Sequence, residues 1–273
     1  MHMFTTVSLG GLSSHDASFG HFRSPLLEGI AFCFMVAASC NFALYFVAMR
    51  KGSMHGFWRD PEMRATVGVL LGGSLVIALI LWAKGVYGPL DAVRYGMFNA
   101  VSVATTTGFA TTDYLTWPVF APMLMLFMSG MATSAGSTGG GIKMMRMLIL
   151  FSQARRELTR LVHPRAVQPV VLAGRAVDNR MIFAVLAFML VYGGTIVFLT
   201  MVMMLTDLDP ITAFSAVVAS VHCLGPGLGS VGPASTYAVL TDFQIWICTL
   251  GMLLGRLEIL SFLALLTPAF WKR

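Results

Sequence analysis

The chain has 273 residues, of which 57% are hydrophobic and only 11% charged. A soluble domain carries about a quarter charged residues, so this composition excludes one and indicates an integral, polytopic membrane protein. The net charge of +6 would suit a nucleic-acid binder, but the basic residues cluster in the connections between apolar runs, the pattern of a membrane topology with its basic loops in the cytoplasm.

In chain order, residues 1–25 are polar and Gly-rich and contain "TTVSLGG", with no apolar core of the kind a signal peptide needs. Residues 26–49 are the first run long enough to cross a bilayer, which takes roughly 20 apolar residues. A basic connection follows with Arg50, Lys51, Arg59 and Arg64, then a second run at 65–83. Residues 91–104 are a short apolar stretch leading into "TTTGF", and 117–151 form a third run interrupted by "SAGSTGGGIK". The next connection is again basic, with Lys143, Arg146, Arg155, Arg156, Arg160, Arg165, Arg175 and Arg180. Runs at 181–205 and 243–266 flank a second short stretch, 210–221, which leads into "CLGPG", and Lys272 and Arg273 close the chain. The alternate connections hold only Arg23, Lys84 and Arg94.

The two short stretches carry the functional reading. Residues 91–104 as a helix would be about 21 Å long at 1.5 Å per residue, against a hydrocarbon core of about 30 Å, so they enter the membrane without crossing it. Each begins beside an acidic residue and a proline (Pro89 and Asp91; Asp209 and Pro210), as helix starts prefer. Each points the partially negative end of its helix dipole at a glycine loop, which favours a cation. Irregular backbone at that depth belongs where it is buried in protein or lines a water-filled path. A dehydrating cation needs oxygens in place of its water, and a glycine lets consecutive backbone carbonyls turn to one side. A tight helix-packing turn is the bland use of such a stretch. Its repetition after a second half-helix, with Gly108 and Gly225 117 residues apart, favours a cation filter.

The candidate filter residues are Ser8, Leu9 and Gly10, then Thr106, Thr107 and Gly108, then Cys223, Leu224 and Gly225. The opening of the chain thus reads as the tail of an earlier copy of the same unit. A pore needs such loops around an axis, usually four, so a first unit and most of a second are expected upstream.

The Gly-rich segment 134–143, with Gly136, Gly139, Gly140, Gly141 and Lys143, must break its helix. It fails the P-loop pattern because Ile142 precedes Lys143 and Met144 follows it. Such a break at membrane depth belongs beside a water-filled cavity, and a structural kink between helices is its bland reading. Arg256 falls inside the last apolar run, where an arginine costs at least about 2.5 kcal/mol and needs a wet cavity or a partner. Glu258, two residues on, does not share its helix face. A structural ion pair between helices is its bland reading. Cys33, Cys40, Cys223 and Cys248 lack CxxC spacing and read as packed thiols, and the histidines lack metal-ligand spacing. His15 and Asp16 adjoin the first loop, where they suit cation attraction or a solvated turn equally. A membrane enzyme would need a set such as HExxH or GxSxG, and the sequence has neither. The spans contain no acidic proton relay, since Glu28 and Glu258 lie toward span ends, which favours channel-like flux over proton or sodium coupling.

The stretches "GGLSSHDASFGHF", "ATTTGFATTD", "AGSTGGGIKMMR", "LVHP", "LGPGLG" and "GRLEILSFLALLTPAFW" resemble TrkH-type potassium-uptake proteins of the Trk/Ktr/HKT superfamily, end to end. The resemblance implies an all-α polytopic membrane protein of tandem M1–P–M2 repeats (helix, re-entrant half-helix with filter loop, helix). The chain would then divide into the end of a second repeat (1–50), a cytoplasmic loop (51–64), a third repeat with a broken M2 (65–152), a second cytoplasmic loop (153–180) and a fourth repeat (181–273). It further implies K+ as the transported ion, no covalently bound cofactor, an intramembrane gate at the Gly-rich segment and Arg256 in the pore beneath the filter. It implies a bacterial inner-membrane location in the lipid bilayer, a homodimer, and a cytosolic nucleotide-binding TrkA-type partner. The basic loop 151–180 would face that partner or anionic lipid head groups. Two departures stand out: Leu9 where a small residue is expected, and His222 with Cys223 where asparagines are common. If the first filter repeat is absent from the mature protein, a non-conducting scaffold is the alternative.

Overall fold

The computed structural model describes residues 1–165, 168–257 and 259–271, without the side chain of Ala269. Glu258, Lys272 and Arg273 therefore lie outside the described residues. The first helix, α1 (His2–Val7), is a single short segment ending at the first glycine loop. Two helices follow, α2 (Pro25–Ser39) and α3 (Phe42–Lys51), where the sequence pattern suggests one span across 26–49. They meet at 92°. Cys40 and Asn41 make the break, and the Asn41 side chain accepts the N–H of Ala43 at 2.9 Å, capping the start of α3.

A short α4 (His55–Arg59) lies in the basic connection and leads to α5 (Pro61–Ala83). Asp60 accepts the Met63 N–H at 2.8 Å, and Pro61 occupies the first helical position, so α5 has a strong start four residues before the apolar run itself. The half-helix α6 (Pro89–Ala104) follows. Beyond its loop come α7 (Phe120–Met131) and, after the Gly-rich segment, α8 (Met144–Val162). The basic connection is therefore helical to Val162 and then forms a small antiparallel hairpin, β1 (Val171–Leu172) with β2 (Arg175–Ala176).

The last unit repeats the plan: α9 (Asn179–Met204), the half-helix α10 (Pro210–His222), then α11 (Asp242–Arg256), α12 (Ile259–Leu266) and the terminal turn α13 (Pro268–Trp271). Asp209 accepts the Thr212 N–H at 2.9 Å. Hydrogen bonds from Thr212, its side chain first and its N–H second, hold the Asp209 carboxyl below the usual carboxylate range. A Thr241–Gln244 capping box starts α11. The pattern over 243–266 suggests one span here too, but α11 and α12 meet at 105°.

By length and composition α5 and α9 are each able to cross a membrane, and among the described residues the candidate spans number up to four if each bent pair is one span. Their outer faces stay apolar and exposed: Leu71, Leu75, Leu79 and Trp82 on α5, and Phe183, Leu190, Val197 and Phe198 on α9. The half-helices are the inside of the protein. Phe98 to Ala104 of α6 and Ser215 to His222 of α10 are all buried. One core joins Ile77 and Leu81 of α5 and Ala100 and Val103 of α6 to Met125 of α7 and Val218 and Ala219 of α10. A second packs Leu9, Phe19 and Met35 against Phe98, Val101 and Phe109. The resulting all-α membrane fold is inverted relative to a soluble one: apolar rods outside, polar loop ends within.

Candidate filter and gate

The three half-helices end identically. Leu9, Thr106 and Cys223 take left-handed φ values of 53°, 61° and 54°. Their N–H groups bond back to Thr6, Val103 and Ser220, and the next residues, Gly10, Thr107 and Leu224, bond back to Thr5, Ser102 and Ala219. This pair of bonds, spanning three and five residues, is the Schellman ending of a helix. It fixes the register: the residues matching Gly108 (φ 86°) and Gly225 (φ 99°) is Gly11 (φ 60°). The sequence reading of Ser8, Leu9 and Gly10 as the first filter triplet is therefore one residue early, and the matching triplet is Leu9, Gly10 and Gly11. Leu9 matches Thr106 and Cys223, where backbone conformation rather than side-chain size is what recurs.

The loops interlock through their glycines. A Cβ on Gly11 would fall on the carbonyl of Thr107, and one on Gly108 would fall on the carbonyl of Leu224. Each glycine thus packs against the carbonyl just before the next loop's glycine. Gly225 has nothing within 4 Å on that side, so the series turns through three loops and leaves one sector open. Buried side chains brace the outgoing strands. Asn99 accepts the Thr111 N–H at 3.0 Å, and Ser215 accepts the N–H of the matching Leu228 at 2.8 Å. The Tyr237 hydroxyl donates to the Gly225 carbonyl at 2.8 Å.

The Gly-rich segment lies against all three half-helix ends. Thr138 donates its hydroxyl to the Val7 carbonyl at 3.2 Å, and the Gly140 N–H donates to the Thr106 hydroxyl at 2.8 Å. A Cβ on Gly140 would fall on the His222 carbonyl. Within the segment Lys143 donates to the Gly139 carbonyl, and Thr133 donates to the Gly140 carbonyl at 2.8 Å. Gly136 and Gly141 have φ of 113° and 81°, which favour glycine. The segment is folded back and pinned rather than a simple kink.

Arg256 is the last residue of α11, at the break, and its side chain is exposed rather than enclosed in a continuous helix. It donates to the Thr138 carbonyl at 3.1 Å. It also lines a cavity of about 170 Å³ with Gly139, Gly140, Lys143, Tyr192 and Cys223. The break and cavity supply what the sequence demanded of an arginine at this depth. Gly255 beside it permits the approach, since a Cβ there would fall on the Val221 carbonyl.

The remaining candidates separate. His15 stacks on His21 with ring centroids 3.7 Å apart, and His2 stacks in turn on His15 at 5.9 Å, so His15 belongs to a ring stack at the edge of the first loop. His222 is buried, with Nδ1 2.7 Å from the Ser129 hydroxyl, which itself donates to the Leu126 carbonyl. Nδ1 is accordingly the donor of that pair. The described cysteines are all free thiols. Sequence reasoning missed Glu62, a buried residue that accepts the Ala135 N–H at 2.5 Å. In "RDPEMR" it reads as part of a helix cap, and nothing local shows that a distant loop will bond to it. It also missed the pair of Glu28 with Arg94, bidentate at 2.6 and 2.7 Å, which ties α2 to α6.

Comparison with known proteins bears on the fold and the family. The family model described as TrkH, cation transport protein, matches residues 1–272. The Trk system potassium uptake protein TrkH of Salmonella typhimurium is 41% identical over 272 residues, covering 99% of this chain and 56% of that protein. TrkH of Vibrio parahaemolyticus is 43% identical over 274 residues with the same coverage. The crystal structure of the potassium transporter TrkH from Vibrio parahaemolyticus superposes with a TM-score of 0.94, covering 99% of this chain and 58% of that one. The chain therefore spans a little over half the length of these relatives. It belongs to the TrkH family of cation transport proteins.

Proposed function

We propose that the chain forms three sides of a potassium-uptake pathway, in which ions pass the backbone carbonyls of Leu9–Gly11, Thr106–Gly108 and Cys223–Gly225 and then a gate at residues 134–143. The interlocking of the three glycine turns is the observation that carries this reading. Three helix ends bring partial negative charge to one point, where a dehydrated cation is favoured and full carboxylates are not needed. A fourth loop of the same kind, supplied by the part of its relatives that this chain does not span, fills the sector open at Gly225. The relatives are named potassium uptake proteins, and K+ is the ion proposed here.

The Gly-rich segment occupies the space beneath the turns, and Arg256 adds a fixed positive charge to the cavity there. Together they form the gate and an electrostatic barrier to leak. Flux is channel-like: among the described residues the buried carboxylates Glu28 and Glu62 each hold a fixed partner, and no chain of acids runs along the spans. The protein works as a homodimer in the bacterial inner membrane, with its basic loops in the cytoplasm and facing a TrkA-type nucleotide-binding partner.

The test is potassium-limited growth of an uptake-deficient bacterial strain expressing either this chain or its genomic reading frame extended upstream. Rescue by the extended form alone is expected. Failure of both, with both inserted in the membrane and the partner co-expressed, overturns the filter reading.

A further inference from the structure

Glu62 is 2% exposed, yet the ion path described above makes no use of it. It stands in the first turn of α5, and its carboxylate accepts the N–H of Ala135, where the chain leaves α7 for the Gly-rich segment. Its other electrostatic neighbours are the Asp60 carboxylate, which opposes its charge, the backbone N–H of Met145, in the first turn of α8, and the Lys143 ammonium. That end of α8 has no side-chain cap of its own, because its N-cap residue is Lys143, at φ 81°. Helix-start N–H groups need acceptors and carry partial positive charge, so a carboxylate is the group that stabilises them. One side chain thus reaches both feet of the segment, from a helix to which the segment does not belong.

Thr66 lies one turn along the same face of α5. Its hydroxyl is 3.1 Å from that of Ser134, with both residues fully buried. The same foot bonds to the break between α2 and α3: Ser134 donates to the Ser39 carbonyl at 2.9 Å, and Phe42 donates to the Gly136 carbonyl at 3.1 Å. The partners of Glu62 among the described residues, Ala135, Asp60, Met145 and Lys143, lie outside the three filter turns, so its effect on the turns runs through the segment.

We propose that Glu62 is the positioning residue of the gate, stapling Ala135 to the start of α8 and so holding residues 134–143 closed beneath the filter. The proposal rests on the gate reading above. A glutamine at this position keeps one acceptor but loses the charge that faces the start of α8 and Lys143. An alanine loses both.

The experiment compares the wild type, E62Q, E62A and a deletion of residues 139–141, each in the extended reading frame. It reads rubidium uptake against external potassium together with amide hydrogen exchange. In E62Q, and more so in E62A, the maximal flux rises while the half-saturating potassium concentration stays at the wild-type value. Amides of residues 135–145 exchange about tenfold faster, the scale of one lost charge-assisted hydrogen bond, and those of 105–109 are unchanged. Damage to the fold at large would instead lower flux and loosen the filter amides as well, and that result overturns the proposal. So does unchanged exchange, or faster exchange with unchanged flux. If the deletion raises flux and E62Q does not, Glu62 has no positioning role while the gate stands. If the deletion leaves flux unaltered, the gate reading falls and this role with it. Should E62Q fail to assemble, T66V removes only the neutral half of the staple; the same changes in weaker form are expected, and wild-type exchange and flux there overturn the proposal.

Discussion

Leu9, Thr106 and Cys223 have no side-chain chemistry in common, and each occupies the same left-handed position at the end of a half-helix. What recurs at the filter is backbone shape, with a leucine, a threonine and a cysteine each accepting roughly 1–2 kcal/mol of local conformational cost. Two positions later the demand is stricter, because Gly11 and Gly108 leave no room for a Cβ against the neighbouring loop's carbonyl. G11A and G108A are therefore expected to abolish potassium uptake while the protein still inserts. G10A keeps most of its uptake, since Gly10 lacks a positive φ and meets only the Ser8 hydroxyl at 3.2 Å. Rubidium uptake normalised to protein in the membrane fraction checks all three, and equal loss in G10A and G11A would refute the register.

At the scale of elements, the breaks matter more than the spans. Each one makes groups available to another unit: backbone groups at the break after Ser39 bond the Gly-rich segment, and the break after Arg256 turns a guanidinium onto Thr138. R256A should raise the leak of potassium with little change in the half-saturating concentration, as measured by efflux from loaded vesicles. Lost protein in the membrane, without leak, would identify the arginine as a structural strut. The Glu28–Arg94 pair joins α2 to the half-helix α6 with the carboxylate 4% exposed. Glu28 is buried while the Arg94 side chain is 25% exposed, so losing one partner costs less than the roughly 3–5 kcal/mol of a fully buried pair. E28A is accordingly expected to lower the thermal unfolding temperature, with the double variant E28A/R94A less affected than the sum of the two single changes. Additive losses would show that the pair is uncoupled.

For the molecule as a whole, the half-helix ends and glycine turns lie inside a shell of apolar helices, and the charge pattern assigns the basic connections to one side of it. The exposed Ser235 lies after the last filter turn, and the exposed Ser53 lies in the basic connection between α3 and α5. In a background lacking the exposed Cys33 thiol, a membrane-impermeant maleimide added to intact cells should label S235C and spare S53C. The reverse pattern would invert the orientation read from the positive charges.

The sequence by itself determined the all-α membrane class, the two half-helices and the place of the glycine turns. These rest on local physics: apolar length against bilayer thickness, Asp–Pro helix starts, and glycine where the backbone must turn. It also singled out residues 134–143 and Arg256, because polar or flexible residues at membrane depth are costly without a cavity. Only the tertiary structure decided the register of the first turn, since Gly10 and Gly11 are alike in sequence and the bonds to Thr5 and Thr6 distinguish them. It alone showed the bends at Cys40 and beyond Arg256, because an apolar run reads the same whether straight or broken. Glu62 belongs to this second group for the same physical reason. Its carboxylate accepts from a backbone N–H more than seventy residues away, and no local pattern reports a partner that folding has yet to bring near.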